Sequence, residues 1–352
     1  PNAAQTQLSI VNPSATARLA KVSLFTDHGI PTESFMVYLT GYDIATIDLR
    51  MLFAAGYRPV TASAGQDQQD TFSPQGAYSQ DINFASCTGL MQTPTLGEEQ
   101  VALLRAAHTG QPVSEWGDKC GGRALDDGIA RGYIVIDEQH SCTVGPVTAV
   151  TMDAHIGSDG LAGSFTVRSR TDEFSYGGPL VALHEVSAEL SAGDMTFWGW
   201  LDEWKINGQH RREPLPNAWR VPFVHGASTG STELVFFRPV HRTPVPYTCD
   251  ATPAALTAGL ASIVAYDGAD DSTTITGFSP GFVAGRIPLG AGGLAVPYTD
   301  GALELDLDFQ EDENAPSNAS SHMGFVGAVH RPAGSSDSVF VQGFPLHLAG
   351  EP

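Results

Sequence analysis

Between residues 302 and 309 the side chains alternate without a break. Leu303, Leu305, Leu307 and Phe309 are apolar, and Glu304, Asp306 and Asp308 between them are charged. Successive side chains of a strand point to opposite faces, so only an extended chain gathers these leucines on one side. Shorter runs of the same kind recur. Leu8–Val11, Leu19–Phe25, Ser34–Thr40 and Ile44–Leu49 occupy the first fifty residues, punctuated by Asn12-Pro13-Ser14 and Asp27-His28-Gly29. In Ser34–Thr40, Phe35, Val37 and Leu39 point one way while Met36 and Tyr38 point the other. Further runs follow at Tyr133–Asp137, Val147–Met152, Gly163–Arg168, Leu180–Val186, Met195–Leu201, Arg220–Val224 and Glu233–Arg238. The last third adds Ser262–Tyr266, Thr273–Thr276, Met323–Val329 and Val339–Phe344. Many short strands with turn residues between them predict a mainly β chain of sandwich-like units. No internal repeat suggests a solenoid or propeller.

A chain of 352 residues exceeds what one core usually serves, about 250–300 residues. Two packed β units are therefore expected. Residues 61–130 break the pattern: Thr61–Gln80 is polar and aperiodic, and reads as a surface loop. A helix is expected from Gly97 to His108, with Glu98 and Glu99 favouring its positive end and Gly110 stopping it. A short second helix is expected over Arg123–Arg131. Pro239, Pro244, Pro246 and Pro253 mark a boundary. The expected organisation is thus a sandwich of residues 1–60 and 131–240, a loop-and-helix insertion of 61–130, and a β unit of 241–352.

With 39 Asp+Glu against 18 Lys+Arg, the formal net charge is −21. Phosphate backbones and anionic lipids repel such a chain, so nucleic acid and membrane surfaces are not expected partners. No apolar run reaches the length a membrane-spanning helix needs. The chain opens at Pro1 without a basic or apolar leader, and reads as a mature exported form or as one taken from an internal position. Cys87, Cys120, Cys142 and Cys249 form no CxxC pair and lack histidines at zinc spacing. Their even number fits two disulfides in an oxidising compartment. Three connectivities are open; Cys87–Cys120 with Cys142–Cys249 keeps one bridge inside the irregular segment.

The stretch NPSATARLAKVSLFTDHGIPTESFMVYLTGYDIATIDLRMLF, residues 12–53, and FSPQGAYSQDINFASCTG, residues 72–89, resemble a family of exported β-rich bacterial proteins. The resemblance implies export and β architecture. It implies no reaction, cofactor or catalytic residue.

Four groups of residues suggest chemistry. Gly226-Ala227-Ser228-Thr229-Gly230 matches the G-x-S-x-G nucleophile elbow of serine hydrolases, with His225 beside it. An elbow needs a helix after the serine, and the following Ser231–Phe237 reads as a strand, so the pentapeptide is read as a hairpin loop. Asp267, Asp270 and Asp271 form one acidic cluster; Asp306, Asp308, Glu311, Asp312 and Glu313 form another. Gathered carboxylates suit Ca²⁺, the one cofactor considered, although the spacing is not that of an EF-hand. The competing reading is a solvated acidic strand edge. Asp153 with His155, and His184 with Glu185, are weaker metal candidates. Trp198, Trp200 and Trp204 lie close together, the first two on one strand face, as a core, an interface or a sugar-stacking platform. The expected function is that of a secreted or cell-surface structural protein, not an enzyme, acting through protein–protein contacts or self-association. The alternatives are a carbohydrate-binding or carbohydrate-degrading secreted protein and, third, a serine hydrolase at Ser228.

Overall fold

In a computed structural model of the chain, residues 5–59, 95–139, 160–169, 174–181, 205–206, 209–210, 216, 218–238, 245–251, 253–257, 259–290, 292–309, 324–335 and 337–346 are described. They are mainly β, arranged as two antiparallel sandwiches. In the first, β1 (Gln5–Val11) lies between β4 (Ile44–Asp48) and β6 (Ala162–Ser169), with β7 (Phe174–Pro179) at the edge beyond β6. The facing sheet places β2 (Arg18–Thr26) between β3 (Pro31–Leu39) and β5 (Gly132–Gln139). Leu8 and Ile10 of one sheet meet Ala20, Val22, Leu24, Phe35, Val37 and Leu39 of the other.

Two helices close this core. Asp48 accepts from the amides of Arg50 and Met51 at the start of α1 (Leu49–Ala55), and Gly56, at φ 72°, ends it. Leu104 enters the core from α2 (Glu98–His108), with Gly97 at its N-cap as the sequence predicts. The helix expected over Arg123–Arg131 does not form. Asp126 and Gly128 take left-handed backbone, and the Asp127 carboxylate accepts from the Ile129 amide and pairs with Arg131, turning the chain locally.

After a short hairpin of β8 (Lys205–Ile206) and β9 (Gln209–His210), the second sandwich begins with β10 (Ala218–Val224) and β11 (Gly230–Phe237). β10 joins β12 (Leu260–Tyr266), β13 (Ser272–Ile275), β15 (Asp300–Phe309) and β18 (Phe344–Leu346) in the order β13-β12-β15-β10-β18. β11 joins β14 (Ala284–Pro288), β16 (Phe325–Pro332) and β17 (Val339–Gln342) in the order β14-β11-β16-β17. The alternation in β15 is real: Leu303, Leu305 and Leu307 are fully buried, while Glu304 accepts from the Tyr266 hydroxyl and pairs with Arg220.

Among the described residues, β10 and β11 pair with β14, β15, β16 and β18, all later in the chain. Between Pro244 and Pro253, a strap of residues 245–251 crosses back to the first unit, where Tyr247 pairs with Cys120.

Aromatic side chains hold the sandwiches together. Phe25 stacks on Tyr133 at 4.9 Å, and Tyr133 meets the edge of Phe237 at 5.1 Å. Phe340 of β17 packs against Phe165 of β6 at 5.3 Å and against Tyr176 of β7. A Cβ at Gly178 would lie 2.8 Å from the Phe340 ring, so a side chain there would push the units apart. Phe340→Ala should lower stability by about 2–4 kcal/mol. A denaturant melt measures this, and an unchanged midpoint would show that the contact carries no load.

Candidate functional site at the junction of the sandwiches

Strand β2 is the middle of its sheet, and both of its faces are covered. Ala20, Val22 and Leu24 fill the first core; Leu19, Lys21, Ser23 and Phe25 face the other way and are buried too. Lys21 stands directly opposite Asp137 of β5 and Met36 of β3. Burial pushes the Lys21 amine pKa down, and the charge of Asp137 opposes the shift.

The turn after β2 carries the densest set of polar contacts at the junction. The Thr26 amide donates to the Ile30 carbonyl, and Gly29, at φ 86°, donates back to Thr26. This fixes Asp27 in the interior. Its carboxylate accepts from Arg123 Nε at 2.6 Å and from the Arg123 amide at 3.2 Å. Its carbonyl accepts from the amides of Val283, at 2.8 Å, and Ala284, at 3.2 Å, at the start of β14. One residue therefore joins β2, the insertion and the second sandwich. The Arg123 guanidinium lies 3.9 Å over the Phe282 ring, a cation–π contact. A Cβ on Gly122 would come within 2.7 Å of the Asp27 carboxylate, so the close approach requires glycine.

His28 lies beside this ion pair. The Tyr247 hydroxyl donates to the Gly122 carbonyl at 2.9 Å and so accepts from His28 Nδ1 at 2.6 Å. That leaves His28 Nε2 as a buried acceptor with no hydrogen-bond partner among the described residues. Burial pushes the His28 pKa down; Asp27 opposes the shift and Arg123 adds to it. Burial likewise raises the Tyr247 hydroxyl above the ordinary tyrosine range. Tyr247 exchanges backbone hydrogen bonds with Cys120, and two residues later Cys249 is disulfide-bonded to Cys120, across 129 residues.

That bridge overturns the preferred pairing of Cys87 with Cys120 and Cys142 with Cys249. The backbone pairing of Cys120 with Tyr247 brings the two Cα atoms to 4.8 Å, a spacing no sequence distance discloses.

His108, at the end of α2, completes the buried polar set. Its Nδ1 donates to the Arg131 carbonyl at 2.8 Å, so its Nε2 accepts from the Thr32 hydroxyl at 2.8 Å. Complete burial lowers its pKa to about 4. Chemically, the junction holds two neutral imidazoles, a paired carboxylate and a cystine.

The other sequence candidates are dispersed. Ser228 is exposed at the tip of the β10–β11 hairpin, where Gly226 and Gly230 exchange backbone hydrogen bonds and a strand follows. A shallow open depression beside it is lined by His225, Ser231, Arg331 and Ser335. Asp267, Asp270 and Asp271 make the β12–β13 turn, in which Asp267 accepts from the amides of Ala269 and Asp271. Asp306 and Asp308 lie on β15. Among the described residues, no group of three acidic, histidine or cysteine side chains gathers as a metal site. Cys87, Cys142, Asp153, His155, His184, Glu185, Trp198, Trp200, Trp204, Glu311, Asp312 and Glu313 lie outside the described residues, as do the 61–80 loop and the runs at 147–152 and 195–201. No helix among the described residues is long and apolar enough to cross a membrane. No protein-family model, curated protein or solved structure matches the chain.

Two predictions follow from the junction geometry. Asp27→Ala removes the partner of the partly buried Arg123 guanidinium and the acceptor of its amide, and should cost about 2–4 kcal/mol in unfolding free energy. Loss below about 1 kcal/mol would assign the junction to apolar packing alone. The unfolded chain also takes up protons on His108 at pH values where the folded chain holds none, so stability rises with pH through this window. Between the ordinary histidine value of 6.5 and about 4, the chain should lose about 3 kcal/mol. Melting temperatures across that range, with His108→Gln flattening the profile, measure it.

Proposed function

We propose that the protein is an exported structural protein that works at the cell surface or outside the cell through protein–protein contacts, as a subunit of a larger assembly. The observation that carries this reading is the junction itself. A cystine across 129 residues and the turn at Asp27, paired with Arg123 and bonded through its carbonyl to β14, tie the two sandwiches together. Cystines persist in oxidising compartments, which suits export. The resemblance of residues 12–53 and 72–89 to exported proteins points the same way.

A second feature supports contact-making. Asn12 is fully buried; its amide nitrogen donates to the carbonyls of Thr16 and Thr40, and its Oδ1 accepts from Ser14. These bonds set two adjacent loops side by side; the second displays Tyr42, 72% exposed, and Ile44, 60% exposed, follows at the start of β4. Tyr42 adopts φ 61°. Left-handed backbone costs a residue with a Cβ roughly 1–2 kcal/mol. Strain stored under an exposed aromatic ring points outward, to a partner.

Light scattering on the native chain, together with fractionation of cells that produce it, tests the proposal. Oligomers or co-isolation with the envelope are expected, and Tyr42→Ser with Ile44→Ser should weaken association about tenfold without lowering the melting temperature. A strictly monomeric chain that associates with nothing at the cell surface would overturn it.

A further inference from the structure

The chain has three lysines, and Lys21 is the one placed at the centre of a sheet. It is 0% exposed, and Asp137, its direct cross-strand neighbour, is 9% exposed. Leu19, Ser23 and Phe25 share its face of β2, and Met36 flanks it on β3. Directly opposed residues of antiparallel strands hold their Cβ atoms about 5 Å apart. A four-carbon lysine stem is long enough to reach a carboxyl across such a gap. Ser23, two residues along, is also fully buried, and its hydroxyl has no hydrogen-bond partner among the described residues. The site thus combines an amine, a carboxyl and an uncommitted hydroxyl, closed to water.

We propose that Lys21 and Asp137 are joined by an intramolecular amide, a covalent cross-link between β2 and β5. Separating an ammonium and a carboxylate from water is unfavourable, and proton transfer from one to the other leaves a neutral amine facing a carboxylic acid. Burial already favours the neutral amine at Lys21. The lone pair of Nζ attacks Cγ of Asp137 and a C–N bond forms. The nitrogen then loses a proton, the carboxyl C–O bond breaks, and the hydroxyl leaves with that proton as water. Nothing is oxidised or reduced, and no co-reactant is needed. The product is uncharged, so it removes both ions from the buried face, and Ser23 supplies a hydroxyl that can hydrogen-bond to the new amide. The inference goes beyond the proposed function and does not depend on it.

The test is the mass of the reduced, denatured protein. It should be lower than the mass calculated from the sequence by one water molecule, and digestion should yield a branched peptide joining the segments around residues 21 and 137. Lys21→Arg and Asp137→Ala should each restore the calculated mass. Denatured mass is readable even if a variant folds poorly. A wild-type chain at its calculated mass, or a water loss that persists in Lys21→Arg, would overturn the proposal.

Discussion

The carboxylate of Asp27 is buried where three parts of the chain meet, and a buried carboxylate survives only when its charge is answered. Arg123 answers it from the insertion, through both its guanidinium and its amide. The carbonyl of the same residue takes the amides that begin β14. The segment between α2 and β5 is therefore not a decoration. It supplies Arg123, the Gly122 that lets the carboxylate approach, the Gly121 carbonyl that accepts from Thr26, and Cys120. Each contact presupposes the others, because moving any one segment exposes or strands the Asp27 charge.

The cystine works on this arrangement from the far side. Its closed loop is long, and a long loop is where a cross-link restricts the unfolded chain most. In the folded state it holds Tyr247 against His28 and Gly122, so the strap from the second sandwich covers the turn of the first. The covalent bond and the ion pair bind the same three segments by independent chemistry.

The alternation in Ala302–Phe309, the helix after Gly97 and the punctuation of the first fifty residues were legible, because each is a local property of side-chain direction or backbone preference. What escaped was non-local. In Leu19–Phe25 the pattern Leu-Ala-Lys-Val-Ser-Leu-Phe places Lys21 and Ser23 on what reads as a solvent face, yet a central strand buried on both sides turns them into interior groups. Asp27-His28-Gly29 reads as an ordinary turn, since its partner Arg123 lies 96 residues away. The cysteine pairing failed for the same reason: it is fixed by which segments lie side by side, and periodicity within a strand is silent on that. A lysine inside an otherwise apolar strand of a lysine-poor chain was the one signal available for the buried row.

The charge balance bears on how such a chain meets its neighbours. The net charge of −21 lies at the surface, because among the described residues the cations turned inward are matched by acids turned inward, Asp27, Glu33, Asp137 and Glu138. Arg58 pairs with Glu33 and Arg123 with Asp27; Arg238 is buried against the Gly259 carbonyl, and Lys21 against the second face of its sheet. Two copies approaching through their acidic faces would repel each other over roughly the Debye length, about 10 Å at 0.1 M salt. Contacts are favoured instead where apolar side chains stand proud of the acidic field, as Tyr42 and Ile44 do on one unit and Phe344 on the other.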